Sequence, residues 1–424
     1  MQRLSLLSWA AFVAAVCLST STTSHARIHS LADASVGDAD RVVVVEAAFE
    51  TATPTLHSLA DGAFTSPAIV PHGLGRVLYV ERGLVPGPGQ FKLDLNTDTL
   101  HLGYAHPGLF GRRSWVEVYG RAQAFAANLL MDHAKAGVQQ GPLGFGAGYA
   151  LGGIFLARTI PLPQLDEGVP RWLPRHVHLF ARLETRQWFH FALDHTHPLF
   201  VLPPGNVSVE PTFGFRLTQG EVVGRFRRLN GTRASGQVTA FWRPQQQSWG
   251  LPDDDGAFDG RQSDQEWSGR AELFIEGGTT FRFGDLATLA AGTEVFVGTG
   301  ENLDDRNRFL VGGDNRYVLP LPGAGWGEFL ADRVVRLHGD TALILFEHVQ
   351  MELGADLVLL NDLLREGKLD NLSPVLGTYV DFSSHITTDW LVRLRLARAF
   401  GLPRQTLDES VKVYLGVEWR ILPW

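Results

Sequence analysis

The chain of 424 residues holds one cysteine, Cys17, and that residue lies in its first twenty. A disulfide framework is therefore excluded. Charge is also scarce. Asp, Glu, Lys and Arg make up 19% of the chain, below the roughly 25% of ordinary soluble domains. The balance is acidic, with a net charge of −8, which argues against a nucleic-acid protein with clustered Lys and Arg. Beyond the N-terminal segment, no apolar run reaches the roughly 20 residues that a membrane helix needs. There is no G-x-S-x-G elbow, and no spacing of Ser, His and acid singles out a triad. No enzyme is expected. Glycine (46), Phe (26) and Trp (11) are plentiful.

The N-terminus reads MQRLSLLSWAAFVAAVCLSTSTTSHA. Arg3 precedes an apolar run from Leu4 to Leu18, and Ser24 and Ala26 are small residues at the −3 and −1 positions. This is the pattern of a secretory signal, and cleavage is expected after Ala26. Val16 stands where a lipoprotein signal has a small residue, which argues against lipidation of Cys17. The expected mature chain is exported yet free of cysteine, so another source of stability is required. Residues 27–90 are weakly patterned, with a short strand expected at Arg41–Val45 and a Pro/Gly linker in LVPGPGQ, residues 84–90. They are expected to form a short periplasmic segment.

From Phe91 onward, short alternating segments recur between Gly, Pro, Asn and Asp turns. WVEVYGRAQAFA puts Val116, Val118, Ala122, Ala124 and Ala126 on one face, against Glu117, Tyr119, Arg121 and Gln123. RHVHLFARLE opposes Val177, Leu179, Ala181 and Leu183 to His176, His178, Arg182 and Glu184. In WLVRLRLARAF, Arg393 and Arg395 share a face opposite Val392, Leu394 and Leu396. Period two means strands. A repeatedly charged second face, with Trp115, Trp242, Trp390 and Trp419 near the ends of the apolar one, fits a membrane barrel with a polar interior. The fold class expected for residues 91–424 is all-β: a closed antiparallel transmembrane β-barrel. At roughly 20–25 residues per strand and connection it has about 14–16 strands. In the last strand, VKVYLGVEWRI, the apolar parity runs from Val411 to Ile421. It is expected to pair with the first, with Pro423 stopping the ladder near Leu422 and Trp424 acting as an interface anchor. ADLVLLNDLLREG, residues 355–367, has Leu357, Leu360, Leu363 and Leu364 at helical spacing. It reads as a short helix in a loop, with a strand as the alternative.

Paired imidazoles at His176/His178 and His195/His197 could ligate a metal, but no third ligand is evident. The acidic stretches at 253–260 and 301–308 read as solvated loops rather than calcium sites. Neither a metal nor a cofactor is expected.

Two stretches resemble the bacterial surface antigen family, the barrels of BamA- and TamA-type outer-membrane insertases. The first is TLHLGYAHPGLFGRRSWVEVYG, residues 99–120, where Tyr104, Pro107, Leu109, Phe110 and Gly111 match the family's turn after its first barrel strand. His106 stands where an acid or Asn is usual. The second is FLVGGDNRYVLPLPGAGWGEFLADR, residues 309–333, in which Gly312, Gly313, Gly327, Glu328, Phe329, Asp332 and Arg333 match an in-folded loop. The intact Arg-Gly-aromatic element is missing, and Arg316 is the candidate substitute. The resemblance implies that Arg316 or Arg333 reaches an acid on the inner wall, Glu347 or Asp381, in a charge-assisted pair. Residues 27–90 leave room for at most one incomplete receptor domain of the kind the family carries.

The resemblance implies a bacterial outer-membrane protein that assists assembly of other outer-membrane proteins, or moves protein or lipid across the membrane. Its partners would be outer-membrane lipids and unfolded outer-membrane proteins or periplasmic factors. The alternative is a passive pore for small solutes, and a third class is a soluble secreted β protein.

Overall fold

The computed structural model describes residues 41–50, 76–82 and 89–421, except 97–98, 112, 127–144, 162–174, 193–197, 203–204, 227, 245–248, 250–265, 304–306, 313–318, 325–328, 362–371, 387–389 and 402–410. The signal sequence, the His195/His197 pair and Trp424 lie outside the described residues. The described secondary structure is all β.

The first eight strands are β1 (Arg41–Glu50), β2 (Arg76–Arg82), β3 (Gln90–Asn96), β4 (Thr99–Pro107), β5 (Ser114–Ala126), β6 (Phe145–Pro161), β7 (Arg175–Ala192) and β8 (Val207–Val223). The next five are β9 (Arg228–Trp242), β10 (Trp267–Phe283), β11 (Ala287–Glu301) and two short ones, β12 (Phe309–Val311) and β13 (Phe329–Ala331). The last five are β14 (Arg333–Leu345), β15 (Val349–Leu360), β16 (Ser373–His385), β17 (Trp390–Phe400) and β18 (Lys412–Ile421). All but β12 and β13 join one antiparallel sheet of sequential neighbours. β1 pairs with β2 on one side and with β18 on the other, so the strand order runs around a ring. The ladder of β18 ends at Ile421.

The sheet therefore starts at Arg41 and not at residue 91. β1 and β2 belong to it, which corrects the reading of residues 27–90 as a separate segment. The stretch around Leu357 is strand β15, not helix; Leu363 and Leu364 lie outside the described residues.

Burial is inverted relative to a water-soluble protein. Leu394 and Leu396 are exposed on β17, while Arg393 and Arg395 between them are buried. On β5 Val118 is exposed and Glu117 and Tyr119 are buried. Alternation puts one parity inside and the other outside, and here the charged parity is inside. Trp115 shares the inward parity and packs on the interior aromatic cluster, so it does not belong to an outer girdle. Trp242 and Trp267 oppose each other in the β9–β10 register, with ring centroids 6.2 Å apart.

The two ends of the ring differ. From β8 onward, successive strands are joined by short gaps at one end (β8–β9, β10–β11, β14–β15 and β16–β17), while the gaps between β9 and β10 and between β11 and β14 open at the other end and are long. Short periplasmic turns and long outer loops are the rule in outer-membrane barrels.

Candidate functional site

The inward parity of neighbouring strands brings distant residues into one row. Tyr119, Gly153 and Glu184 are in register on β5, β6 and β7. A Cβ on Gly153 would stand 2.6 Å from the Tyr119 ring. Glycine there lets the ring lie across β6, and its hydroxyl donates to Glu184 Oε1 at 2.6 Å. Arg182 and Arg186 flank Glu184 at 3.8 Å, and Arg186 also pairs with Glu210 at 2.8 Å.

A second network covers the wall of β11 and β14–β17. Arg336 pairs with Glu294 at 2.8 Å and Asp356 at 2.5 Å. His338 lies 3.2 Å from Asp356 and 3.6 Å from Asp340. Asp381 is fully buried and pairs with Arg393 at 2.9 Å and Arg395 at 3.0 Å; the Ser383 hydroxyl donates to it at 2.6 Å. The Tyr379 hydroxyl donates to Glu352 at 2.5 Å, under the Arg395 guanidinium. Buried charges persist only when paired, because desolvation costs several kcal/mol per ion. The interior supplies those pairs from adjacent strands.

The connection from β11 to β14 folds onto this wall from the long-loop end. Phe309, Val311, Leu319, Leu321, Phe329 and Ala331 are buried in one cluster with Phe296, Val334, Val358, Leu360 and Val375 of the ring. β12 and β13 pair with each other. Gly323, at φ +85, lies so close to β17 that a Cβ would stand 2.2 Å from the Ala399 nitrogen. A fully buried Val or Leu contributes about 1.5–3 kcal/mol, so the connection is held as a packed insert.

The residues expected to form the motif distribute unevenly. Gly312 sits at the end of β12 with φ 126, its N–H donating to the Leu319 carbonyl at 3.0 Å. Phe329 is buried in the insert. Asp332 pairs with Arg308 at 2.8 Å. Arg333 is exposed, and its backbone N–H donates to Asn361 Oδ1 at 2.7 Å. Gly313, Arg316, Gly327 and Glu328 lie outside the described residues. Asp381 is an inner-wall acid, but the strand residues Arg393 and Arg395 partner it. Glu347 is a correction. It sits in the turn between β14 and β15 with φ 59, half exposed and 3.5 Å from Arg282. Phe346 and Glu347 both have positive φ and the His348 N–H returns to the Leu345 carbonyl, the geometry of a type I′ turn. That places Glu347 at the rim and not on the wall. At the first motif, Tyr104 lies within β4 and Pro107 ends it, and Phe110 and Gly111 form an exposed turn closed by Ser114. Among the described residues no cluster of metal-ligating side chains occurs; the His178 ring is 2.9 Å from Thr159 Oγ1.

Sequence reasoning missed one crossing of the interior. Arg228, at the start of β9, pairs with Asp340 on β14 at 2.6 Å and with Glu352 on β15, and its Nε donates to Gln350 at 3.2 Å. The signal was present in part, as Gly220 and Gly231 flank the turn.

No family model and no curated protein matches the sequence. Solved structures do. CdiB from Acinetobacter baumannii is 11% identical, with a TM-score of 0.55 over 90% of this chain and 60% of that one. BamA from Haemophilus ducreyi, in a structure lacking POTRA domains 1-3, is 9% identical, with a TM-score of 0.55 over 99% of this chain and 78% of that one. The chain shares their fold. CdiB from Escherichia coli aligns likewise, 9% identical at a TM-score of 0.54 over 89% of this chain and 63% of that one. The chain thus spans less than two thirds of the length of either CdiB structure.

Proposed function

We propose that this chain is a bacterial outer-membrane β-barrel that assists assembly of outer-membrane proteins, or moves polypeptide or lipid across that membrane. The observation that carries the reading is the β11–β14 connection, folded against the inner wall of a ring that shares its fold with BamA and CdiB. The exposed apolar parity suits hydrocarbon, and the buried charged parity suits a polar interior. A passive pore is less well supported, because the insert and Arg228 both occupy the interior. The chain would meet outer-membrane lipid on its outside and unfolded outer-membrane proteins or periplasmic factors at its ends. No catalytic step is included.

Depletion of the protein followed by outer-membrane profiling tests the reading. Reduced levels of other barrels, or of a surface-delivered polypeptide or lipid, are expected. An unchanged outer membrane overturns it.

A further inference from the structure

The β8–β9 hairpin leaves the wall of the ring. The register between β9 and β10 stops at Gly231 and Gly278, although β10 continues to Phe283 in pairing with β11 alone. On the other side, the described register between β7 and β8 stops at Gln219. Beyond those points, among the described residues, β8 and β9 pair only with each other, down to Val223 and Arg228.

The departure is at a pair of glycines. Gly220 and Gly231 oppose each other, with φ values of 125 and 141. A Cβ on either would stand 2.2–2.3 Å from a backbone oxygen of the opposite strand. Only glycine adopts this conformation without strain, so the bend is written into the two residues.

The bent tip reaches the far wall at the short-turn end. Arg225 lies 3.3 Å from the His348 ring in the β14–β15 turn, and the Phe226 ring lies 4.8 Å from that of His385 on β16. Arg228 places its guanidinium between Asp340 and Glu352. A small recess of about 20 Å³, lined in part by Phe226, Arg228, Thr280 and Ile344, lies beside the tip. The tip is thus latched at its far side.

We infer that the β8–β9 tip is a hinged gate across the short-turn end of the interior, bending at Gly220/Gly231 and latched by Arg228 on Asp340 and Glu352. It rests on the reading of the ring as a membrane barrel that moves polypeptide or lipid across the membrane. Release exposes two carboxylates that Arg228 otherwise neutralises, so the opened end favours cationic over anionic species.

Water access to the interior tests the gate. The only cysteine is in the expected leader, so Ser383→Cys gives the mature protein one thiol, on a buried position of β16 two residues from His385, against which the tip packs. The refolded full chain is labelled with a membrane-impermeant maleimide, and heat-modifiable migration checks each variant's fold. Arg228→Ala is expected to speed labelling at least tenfold, and Arg228→Lys to restore a rate near that of the parent. A positively charged thiol reagent should gain more than a negatively charged one. Where Arg228→Ala does not fold, Phe226→Ala, which keeps the ion pairs, takes its place with the same expected direction. Folded variants that label at the parent rate overturn the gate. Outer-membrane profiling after depletion reads the assembly role separately, so either idea can fall alone.

Discussion

The Tyr119 hydroxyl on β5 donates to Glu184 on β7 across the full width of β6, with Gly153 beneath the ring. Three strands are tied by one side chain. Tyr119→Phe removes the donor but leaves Glu184 among its arginines, and should cost about 1–3 kcal/mol. Glu184→Ala leaves Arg182 and Arg186 short of a partner in a buried site, and should cost about 3–5 kcal/mol. Gly153→Ala should resemble Tyr119→Ala, and the two should be far from additive, because both displace one ring. Urea titration of the protein in lipid vesicles, followed by tryptophan fluorescence, measures all four.

Asp381 and Glu347 were equal candidates for the inner-wall acid, and the structure separates them. Asp381→Ala strands Arg393 and Arg395 and should lower stability by about 3–5 kcal/mol. Glu347→Ala loses one long, exposed pair with Arg282 and should stay within about 0.5 kcal/mol of the parent. Comparable losses at both sites would show that the turn residue bears on the wall after all. The same vesicle titration decides.

What could be read from sequence follows from what a single strand shows. Arg393 and Arg395 alternate with Leu394 and Leu396, so the two faces of β17 were legible, as was the inward acid at Asp381. β1 was legible only as a short strand over Arg41–Val45, and its place in the ring was not, because Val42 to Val45 is apolar on both parities and period two is hidden. The parity of Trp115 was available, since it shares a face with Glu117 and Tyr119, but proximity to the strand end suggested a girdle. Glu347 was misplaced because Phe346-Glu347 lacks the Asn or Gly that marks a type I′ turn. The Arg228 contacts needed the register, as 112 residues separate it from Asp340. Gly220 and Gly231 became a pair only once β8 and β9 were aligned.

The ring depends on β1 meeting β18. Their register opposes Ala48 to Gly416, and two cysteines there should join by a disulfide under mild oxidation. The product is an internal crosslink, visible as a change in migration of the denatured chain that reductant reverses. Cysteines shifted by two residues on one strand, as Ala48 with Glu418, should crosslink poorly, since register fixes which residues meet. Equal efficiency for both pairs would mean that β1 does not hold this register.

Leu321 is fully buried at the centre of the insert, with 0% of its surface accessible. It packs with Val311 and Leu319 against Val358, Leu360 and Val375 of the ring. Truncation to alanine removes methyl groups from a closed site and should cost the insert about 2–5 kcal/mol. The ring ladders do not depend on that contact, so the loss should appear as local opening rather than global unfolding. Protease added on the long-loop side should then cut between Leu303 and Asp332 in Leu321→Ala far faster than in the parent. Heat-modifiable migration of the barrel should be retained. Val311→Ala, in the same cluster, should act in the same direction with a smaller effect, as fewer atoms are lost. Equal cleavage of variant and parent would mean that packing on the wall does not hold the connection in place.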